Sequence, residues 1–95
     1  MPAYIIFTRE KTTDQAEMDI YSGLAGPTLE GHPAKPLVHY GKQITLEGSP
    51  HEGAVVLEFP TMEQAKAWYD SPAYQSAAKH RHAGAHYRAF IVEGV

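Results

Sequence analysis

Apolar residues in this chain form four short runs that predict β-strands. The runs are rich in β-branched and aromatic residues, which pack well on a pleated sheet. They cover residues 3–8, 37–40, 54–59 and 86–93. The first run is apolar on both faces and therefore predicts a central strand. After a bend at Gly41, residues 43–47 are expected to continue the second strand as an edge segment.

The segment 59–75 predicts two consecutive helices. Thr61 and Gln64 have the spacing of a capping box, so the first helix is expected to begin directly after Thr61. Pro72 disfavours helical geometry before it but suits the first turn of a new helix, with Ser71 as the N-cap. The apolar stripes of the two helices are Met62, Ala65, Trp68 and Tyr69, then Tyr74, Ala77, Ala78 and Arg81.

Another helix is predicted upstream, after the first strand. Thr12 and Gln15 repeat the capping-box spacing, so this helix is expected to begin near Thr13. Its apolar stripe consists of Met18, Tyr21, Ala25 and Leu29. Because glycine and proline are poor helix formers, Gly26 and Pro27 predict a kink or an early end.

The predicted order of strand, helix, strand, strand, helix and strand is that of an α+β, ferredoxin-like βαββαβ fold. Right-handed crossovers then place the helices on one face of an antiparallel sheet. The other face is left uncovered, although the strands are apolar there as well. Two subunits are therefore expected to pack sheet to sheet as a homodimer. The alternative is a monomer with a semi-polar open face.

Composition limits the size of the protein and its partners. Ninety-five residues allow one domain, residues 1–95, whose core is marginal for a monomer. A net charge of -3 without runs of like charge disfavours nucleic-acid binding. The absence of cysteine excludes disulfides and thiolate chemistry. No apolar run has membrane-span length and the N-terminus lacks a signal-peptide pattern, so we expect a soluble, cytoplasmic protein without a membrane partner.

The sequence Phe-Pro-Thr-Met-Glu-Gln-Ala-Lys-Ala-Trp-Tyr-Asp-Ser-Pro-Ala-Tyr-Gln at residues 59–75 resembles the domain of unknown function 1330 family. Segments at residues 1–4, 26–30 and 92–94 extend the resemblance over nearly the whole chain. It implies a dimeric α/β barrel of ferredoxin-like subunits. That superfamily also holds cofactor-independent monooxygenases, muconolactone isomerases and haem enzymes, so the resemblance does not supply a reaction.

The resemblance also points to individual positions. Five residues match positions where the family usually has the same residue: Tyr21, Glu58, Ser71, Tyr74 and Arg81. After the arginine the family often has Asp-Ser-Arg, whereas residues 86–88 here are His-Tyr-Arg. Either the role of that aspartate is missing in this chain or His86 has taken it over with a group that titrates near neutral pH.

The histidines could be metal ligands or surface residues. There are six of them: His32, His39, His51, His80, His82 and His86. His82 and His86 have the i, i+4 spacing of a helical zinc pair, but Gly84 is expected to cap the helix between them. A structural zinc ion also needs four ligands. Exposed histidines are therefore favoured, and neither a metal nor another cofactor is predicted.

His39 and Arg81 are the leading candidates for chemistry. His39 is expected to face the space beneath the helices, where it is either a hydrogen-bonded core or interface histidine or a catalytic base. Tyr21, Tyr40 or Glu58 could be its partner. Arg81 ends an apolar helical stripe and either binds a carboxylate or enolate in bidentate fashion or pairs with an acidic residue such as Glu58.

Two hypotheses for function follow. The first is a small-molecule enzyme without a bound cofactor, monooxygenase-like or isomerase-like, which acts on a carbonyl- or enol-bearing organic acid or an aromatic compound. In it His39 or His86 moves protons, Arg81 holds the anion and Tyr21 orients the substrate. The second is a non-catalytic ligand-binding or stress-associated homodimer in which Arg81 is structural. The sequence specifies neither the substrate nor the reaction.

Three further residues are candidates for contacting a small-molecule ligand: Trp68, Tyr74 and Glu58. For the two aromatic residues the alternative is a place in the core, where aromatic stripes at helical spacing usually lie. A deep pocket that reaches both His39 and Arg81 would favour the enzyme. A sealed core would favour the non-catalytic protein.

Overall fold

A computed structural model describes residues 1–95, which form a four-stranded antiparallel sheet, three α-helices and one 3₁₀ turn. The strands are β1 (Ala3–Thr12), β2 (Lys35–His39), β3 (Gly53–Phe59) and β4 (Ala85–Glu93). The helices are α1 (Gln15–Ala25), α2 (Met62–Tyr69) and α3 (Pro72–Gly84), and the 3₁₀ turn is Gly26–Leu29. None of the helices has the length and apolar character needed to span a membrane.

The spatial order of the strands is β2-β3-β1-β4, with β1 paired antiparallel to both β3 and β4. This order confirms the predicted ferredoxin-like α+β fold. β1 is central, as its apolar sequence predicts, and β2 and β4 are the two edge strands. Residues on β2 and residues on β4 therefore lie at opposite edges of the sheet.

β1 runs four residues further than predicted, and this moves the start of α1. The N-cap of α1 is Asp14, whose carboxylate accepts hydrogen bonds from the backbone of Ala16 and Glu17. The prediction that Thr12 caps the helix is wrong, because Thr12 belongs to the strand and donates its hydroxyl to Glu52. A carboxylate at this position also suits the positive end of the helix dipole.

The end of α1 follows the prediction from Gly26 and Pro27. The α-helix stops at Ala25 and the chain tightens into the 3₁₀ turn, with proline in its first turn. Met18 and Tyr21 are buried, as the predicted stripe requires. The turn carries the chain across to the edge strand β2.

The predicted edge segment at residues 43–47 is wrong. These residues form no strand, and the chain leaves the sheet at Tyr40, which has a positive φ of 53°. β3 pairs only with residues 35–39 along this edge. The segment between Tyr40 and β3 is therefore an irregular loop, in which Ile44 is 87% exposed and Leu46 is 89% exposed.

α2 and α3 begin where the sequence predicts. Thr61 and Ser71 are the N-caps, and their hydroxyls accept from the backbone of Gln64 and Tyr74. Gly84, however, is the last residue of α3 rather than a left-handed cap. A Cβ at Gly84 would lie 3.0 Å from atoms of α1, so glycine permits close packing of α3 against α1.

The two faces of the sheet have different neighbours. One face packs under the helices and forms the core with the large side chains of Ile5, Phe7, Leu57 and Phe59. The register places another apolar set on the opposite face: Tyr4, Ile6, Val38, Ala54, Val56, Phe90 and Val92. No element of the chain covers this second set, and Phe90 is 52% exposed. We call it the open face.

Candidate functional site

An apolar cavity of about 350 Å³ lies between α1 and the strands β2 and β3. Twelve residues line it: Phe7, Tyr21, Ser22, Ala25, Gly26, Leu29, Pro36, His39, Tyr40, Val55, Leu57 and Trp68. The end of α1, the 3₁₀ turn and the edge strand β2 all contribute residues to its wall. We call it the α1 cavity. Its size is at the lower end of the range of small-molecule sites.

Three side chains supply its available polar groups. Tyr21 points inward from α1, His39 is the last residue of β2, and Tyr40 follows it at the turn away from the sheet. The rings of His39 and Tyr40 are 4.9 Å apart, edge to face. Ser22 also lines the cavity, but its hydroxyl donates to the backbone carbonyl of Met18. Hydrogen bonding to a ligand therefore depends on one imidazole and two phenols.

His39 is exposed at the opening of this cavity. The interpretation of His39 as a hydrogen-bonded core histidine is therefore wrong, because an edge strand leaves its terminal residue open to solvent. None of Tyr21, Tyr40 and Glu58 forms a side-chain hydrogen bond with it. Its ring nitrogens remain free to contact a bound molecule.

Tyr21 belongs to a pair of buried phenols. Its hydroxyl is 2.9 Å from that of Tyr74, which projects from α3. Burial raises the pKa of both tyrosines above the ordinary value, and the positive charge of Arg81 partly opposes the rise. Both phenols are therefore neutral at physiological pH and can donate hydrogen bonds.

Tyr40 belongs to a second pair, which the sequence did not reveal. Its hydroxyl bonds to that of Tyr87 on β4, and burial together with this hydrogen bond raises its pKa. Tyr87 alternates with Ala89 and Ile91 on the inward side of β4, a pattern that could have marked it as inward-facing. Tyr40 gave no such signal, because the turn that directs it inward depends on its positive φ.

Trp68 forms the floor of the α1 cavity and is 2% exposed. It packs against Phe7, Phe59 and Tyr74, and its indole N–H donates to the hydroxyl of Thr28 at 3.2 Å. Both roles considered for Trp68 are thus compatible, since a core side chain also presents one side to the cavity. Tyr74 is fully buried and reaches the cavity only through Tyr21.

A second cavity of about 350 Å³ lies at the other edge of the sheet, between the end of α3 and β4. Its lining consists of Tyr69, Arg81, His82, Ala85, His86, Tyr87 and Ala89. We call it the α3 cavity. His39 and Arg81 therefore line different cavities, and neither of these two cavities reaches both residues.

Arg81 is only 4% exposed although it carries a full charge. The centre of its guanidinium lies 5.3 Å from the ring of Phe7 and 5.0 Å from that of Tyr87. A terminal nitrogen is 3.3 Å from Nε2 of His82, and Nε has no hydrogen-bond partner. The predicted ion pair with Glu58 is wrong, because Glu58 lies on the open face beside Tyr4.

The two histidines of the α3 cavity lie on different elements. His82 is in α3 and His86 is in β4, because the helix ends at Gly84 as predicted. Burial and the neighbouring charge of Arg81 lower the pKa of His82. No group of three or more His, Asp or Glu side chains in the chain is arranged to hold a metal ion.

Solved structures show the same fold in proteins of low sequence identity. A protein of unknown function from Rhodopseudomonas palustris is 19% identical, with a TM-score of 0.77, over 99% of this chain and 82% of that one. A dimeric ferredoxin-like protein of unknown function from Jannaschia sp. CCS1 is 16% identical, with a TM-score of 0.69, over 99% of this chain and 100% of that one. SnoaB, a cofactor-independent oxygenase from Streptomyces nogalater, is 10% identical, with a TM-score of 0.59, over 99% of this chain and 91% of that one.

The family follows from the sequence itself. No curated protein matches the chain significantly. The model of the domain of unknown function DUF1330 matches residues 2–95, which include the segment 59–75 with its two N-caps. The chain therefore belongs to the DUF1330 family.

Proposed function

We propose that the α1 cavity binds a small planar organic molecule with a phenol, enol or carbonyl oxygen, and that the protein acts on it without a cofactor. The observation that carries this proposal is the lining of the cavity. It is largely apolar, and the polar groups of Tyr21, His39 and Tyr40 are placed around the same space. Sites of this kind bind ligands by burial and orient them through a few hydrogen bonds.

The residues that line the α1 cavity indicate which class of ligand it binds. Trp68, Phe7 and Leu57 offer flat and aliphatic surface, which favours an aromatic or conjugated ring. No carboxylate or ammonium group lines the cavity, so a strongly charged ligand would lose hydration without compensation. A phenol or enol oxygen matches the neutral hydroxyls of Tyr21 and Tyr40.

The chemistry that this arrangement supports starts with proton removal. The imidazole of His39 takes a proton from the hydroxyl or the α-carbon of the ligand, and an enolate forms. The hydroxyls of Tyr21 and Tyr40 donate to the enolate oxygen. Return of the proton to another carbon completes an isomerisation.

The same enolate supports oxygenation, with dioxygen as the co-reactant. When its carbon bonds to dioxygen, a ring CH₂ group is oxidised by four electrons, all of which dioxygen accepts. One oxygen atom stays on that carbon as a carbonyl, and the other leaves as water with the two hydrogen atoms. The likeness to SnoaB, a cofactor-independent oxygenase, supports this branch through the fold alone.

The experiment is exchange of ligand protons in D₂O, followed by NMR, with a panel of naphthols, anthrones and β-diketones. Dioxygen consumption is measured on the same panel. Wild type is expected to accelerate exchange, and His39→Gln to abolish the acceleration while binding persists. His32→Gln is the control, since His32 lies outside both cavities. Equal exchange in wild type and His39→Gln would contradict the role of His39.

A non-catalytic binding protein is the second candidate. It is favoured by the position of Arg81, which does not line the α1 cavity and so cannot hold an anion there. In this alternative Arg81 is structural, and the homodimer binds its ligand without changing it. Tight binding without proton exchange or dioxygen consumption across the panel would support it.

We also propose that residues 1–95 fold as one domain and that two copies pair through the open face. The uncovered apolar side chains there and the dimeric description of the Jannaschia relative support this assembly. Light scattering is expected to give about twice the chain mass of 10.5 kDa. Phe90→Lys is expected to give a monomer, whereas Leu24→Lys on the helical side is expected to leave the dimer intact. A monomeric wild type would overturn the assembly.

A further inference from the structure

We propose that the α3 cavity is a second binding site, separate from the α1 cavity, and that it takes the carboxylate of a small aromatic acid on Arg81. Nothing in the proposed chemistry of His39 uses this site.

The first step of the argument is the missing counter-ion of Arg81. The side chain is 4% exposed, yet no Asp or Glu oxygen lies within 4.0 Å of it. Its neighbours are two aromatic rings, one imidazole nitrogen and the phenol of Tyr74, none of which carries a negative charge, and its Nε is unpaired. A buried charge without a partner is costly, and an anion would both pair the charge and accept the free N–H groups.

The second step is the space beside the guanidinium. The α3 cavity has the volume for a small organic molecule, and Arg81 is one of its walls. No acidic residue lines this cavity, so nothing repels an anion. The small side chains of Ala85 and Ala89 leave room beside the rings of Tyr69 and Tyr87.

The third step distinguishes a carboxylate from a phosphate. Burial and Arg81 lower the pKa of His82, so Arg81 and a neutral imidazole face the ligand from α3. One guanidinium matches a singly charged, planar carboxylate in bidentate geometry. A phosphate dianion would need more positive charge. The rings of Tyr69 and Tyr87 favour an aromatic group behind the carboxylate.

The experiment titrates the intact protein with benzoate, and separately with inorganic phosphate, while the backbone and imidazole NMR signals are recorded. Benzoate is expected to saturate shifts at His82, His86 and Tyr87. Arg81→Met is expected to weaken binding by at least about tenfold, the loss typical of a charged hydrogen bond. Lys79→Met is the matched control, since Lys79 is an exposed cation on α3 that lines neither cavity.

A second pair of variants keeps the guanidinium. Ala89 is exposed and lines the α3 cavity, so Ala89→Phe is expected to block benzoate by filling it. Ala83→Phe, on the exposed side of α3, is expected to bind as wild type does. Ala25→Leu fills the α1 cavity and is expected to leave benzoate binding unchanged, which separates the two sites.

Three results would overturn the proposal. The first is no saturable shift at the α3 cavity with benzoate. The second is unchanged affinity in both Arg81→Met and Ala89→Phe. The third is phosphate binding that is equal to or tighter than benzoate binding, which would contradict the carboxylate assignment.

Discussion

The two cavities have the same volume of about 350 Å³ but opposite chemistry. The α1 cavity is lined mainly by apolar side chains, with phenols and one imidazole for hydrogen bonding. The α3 cavity contains a guanidinium and two imidazoles beside two tyrosine rings. Size therefore cannot decide which ligand enters which cavity. Because removing charge from water is costly, the contrast in lining favours the neutral ligand that we propose for the α1 cavity and the anion that we propose for the α3 cavity.

A thin aromatic layer separates these environments. Phe7 lines the α1 cavity on one side and lies under the guanidinium of Arg81 on the other. It also packs edge-on against Trp68 and Tyr87, which line different cavities. This aromatic layer, which we call the partition, is therefore built from the same rings that form the core. Substitutions in these rings are expected to affect both stability and ligand binding.

The largest effect is expected from Phe7→Ala. Deleting a buried phenylalanine ring should lower the free energy of unfolding by about 3–5 kcal/mol and open the partition between the cavities. Urea denaturation measures the loss. Leu24→Ala is the control, because Leu24 is 44% exposed on α1 and its loss should stay below about 1 kcal/mol. Equal losses in both variants would contradict the partition.

The phenol pairs should make the protein sensitive to alkaline pH. The pKa values of Tyr21, Tyr40 and Tyr74 are raised in the folded state above the unfolded value of 10.0. The unfolded chain therefore loses these protons first, and stability falls as pH rises above 10, by about 1.4 kcal/mol per pH unit for each affected tyrosine.

Denaturation between pH 8 and pH 11 measures this slope. Tyr21→Phe should reduce it, since one shifted phenol is removed. Leu24→Ala should leave it unchanged, because this exposed residue carries no ionisable group. A stability that is constant over this pH range would show that the phenols ionise alike in the folded and unfolded states.

The floor of the α1 cavity depends on one hydrogen bond. Thr28→Val leaves the buried indole N–H of Trp68 without an acceptor, which should cost about 1–3 kcal/mol. Thermal denaturation with Thr13→Val as the exposed control measures the difference. An unchanged melting point in Thr28→Val would mean that Trp68 finds another acceptor.

The smallest effect concerns the packing beside the α3 cavity. Gly84→Ala should lower stability by about 1 kcal/mol, because crowding against Asp14 and Met18 exceeds the gain in helix propensity. Gly23→Ala should instead stabilise α1 by up to about 1 kcal/mol, since no atom lies within 4 Å of the added Cβ. Stabilisation by both variants would show that α1 and α3 move apart readily.

Much of the fold followed from sequence spacing. The stripe containing Met18 and Tyr21, and the N-caps Thr61 and Ser71, are local patterns, and local patterns fix local structure. The misplaced cap at Thr12 and the missing strand at residues 43–47 have a different cause. Both depend on where a strand stops pairing with its neighbour, which spacing along one segment does not specify.

The site was less predictable for a related reason. Helical spacing showed that Arg81 faces inward, but not which edge of the sheet it approaches. His39 ends the edge strand β2, whereas Arg81 lies near the opposite edge strand β4. Glu58 alternates correctly along β3, yet only the assembled sheet shows that its side is the one without helices. The sheet edge that each residue lies near, and the face on which Glu58 lies, became clear only from the tertiary structure.

The central claim is that the α1 cavity binds a neutral aromatic ligand, and Trp68 allows a direct measurement. It is the one tryptophan of the chain and forms the cavity floor, so 2-naphthol bound there should quench its fluorescence in a saturable titration. We expect saturation in wild type, Ala67→Leu and Arg81→Met, and its loss in Ala25→Leu, which fills the cavity. Unsaturable quenching in wild type, or equal binding in Ala25→Leu, would contradict the account.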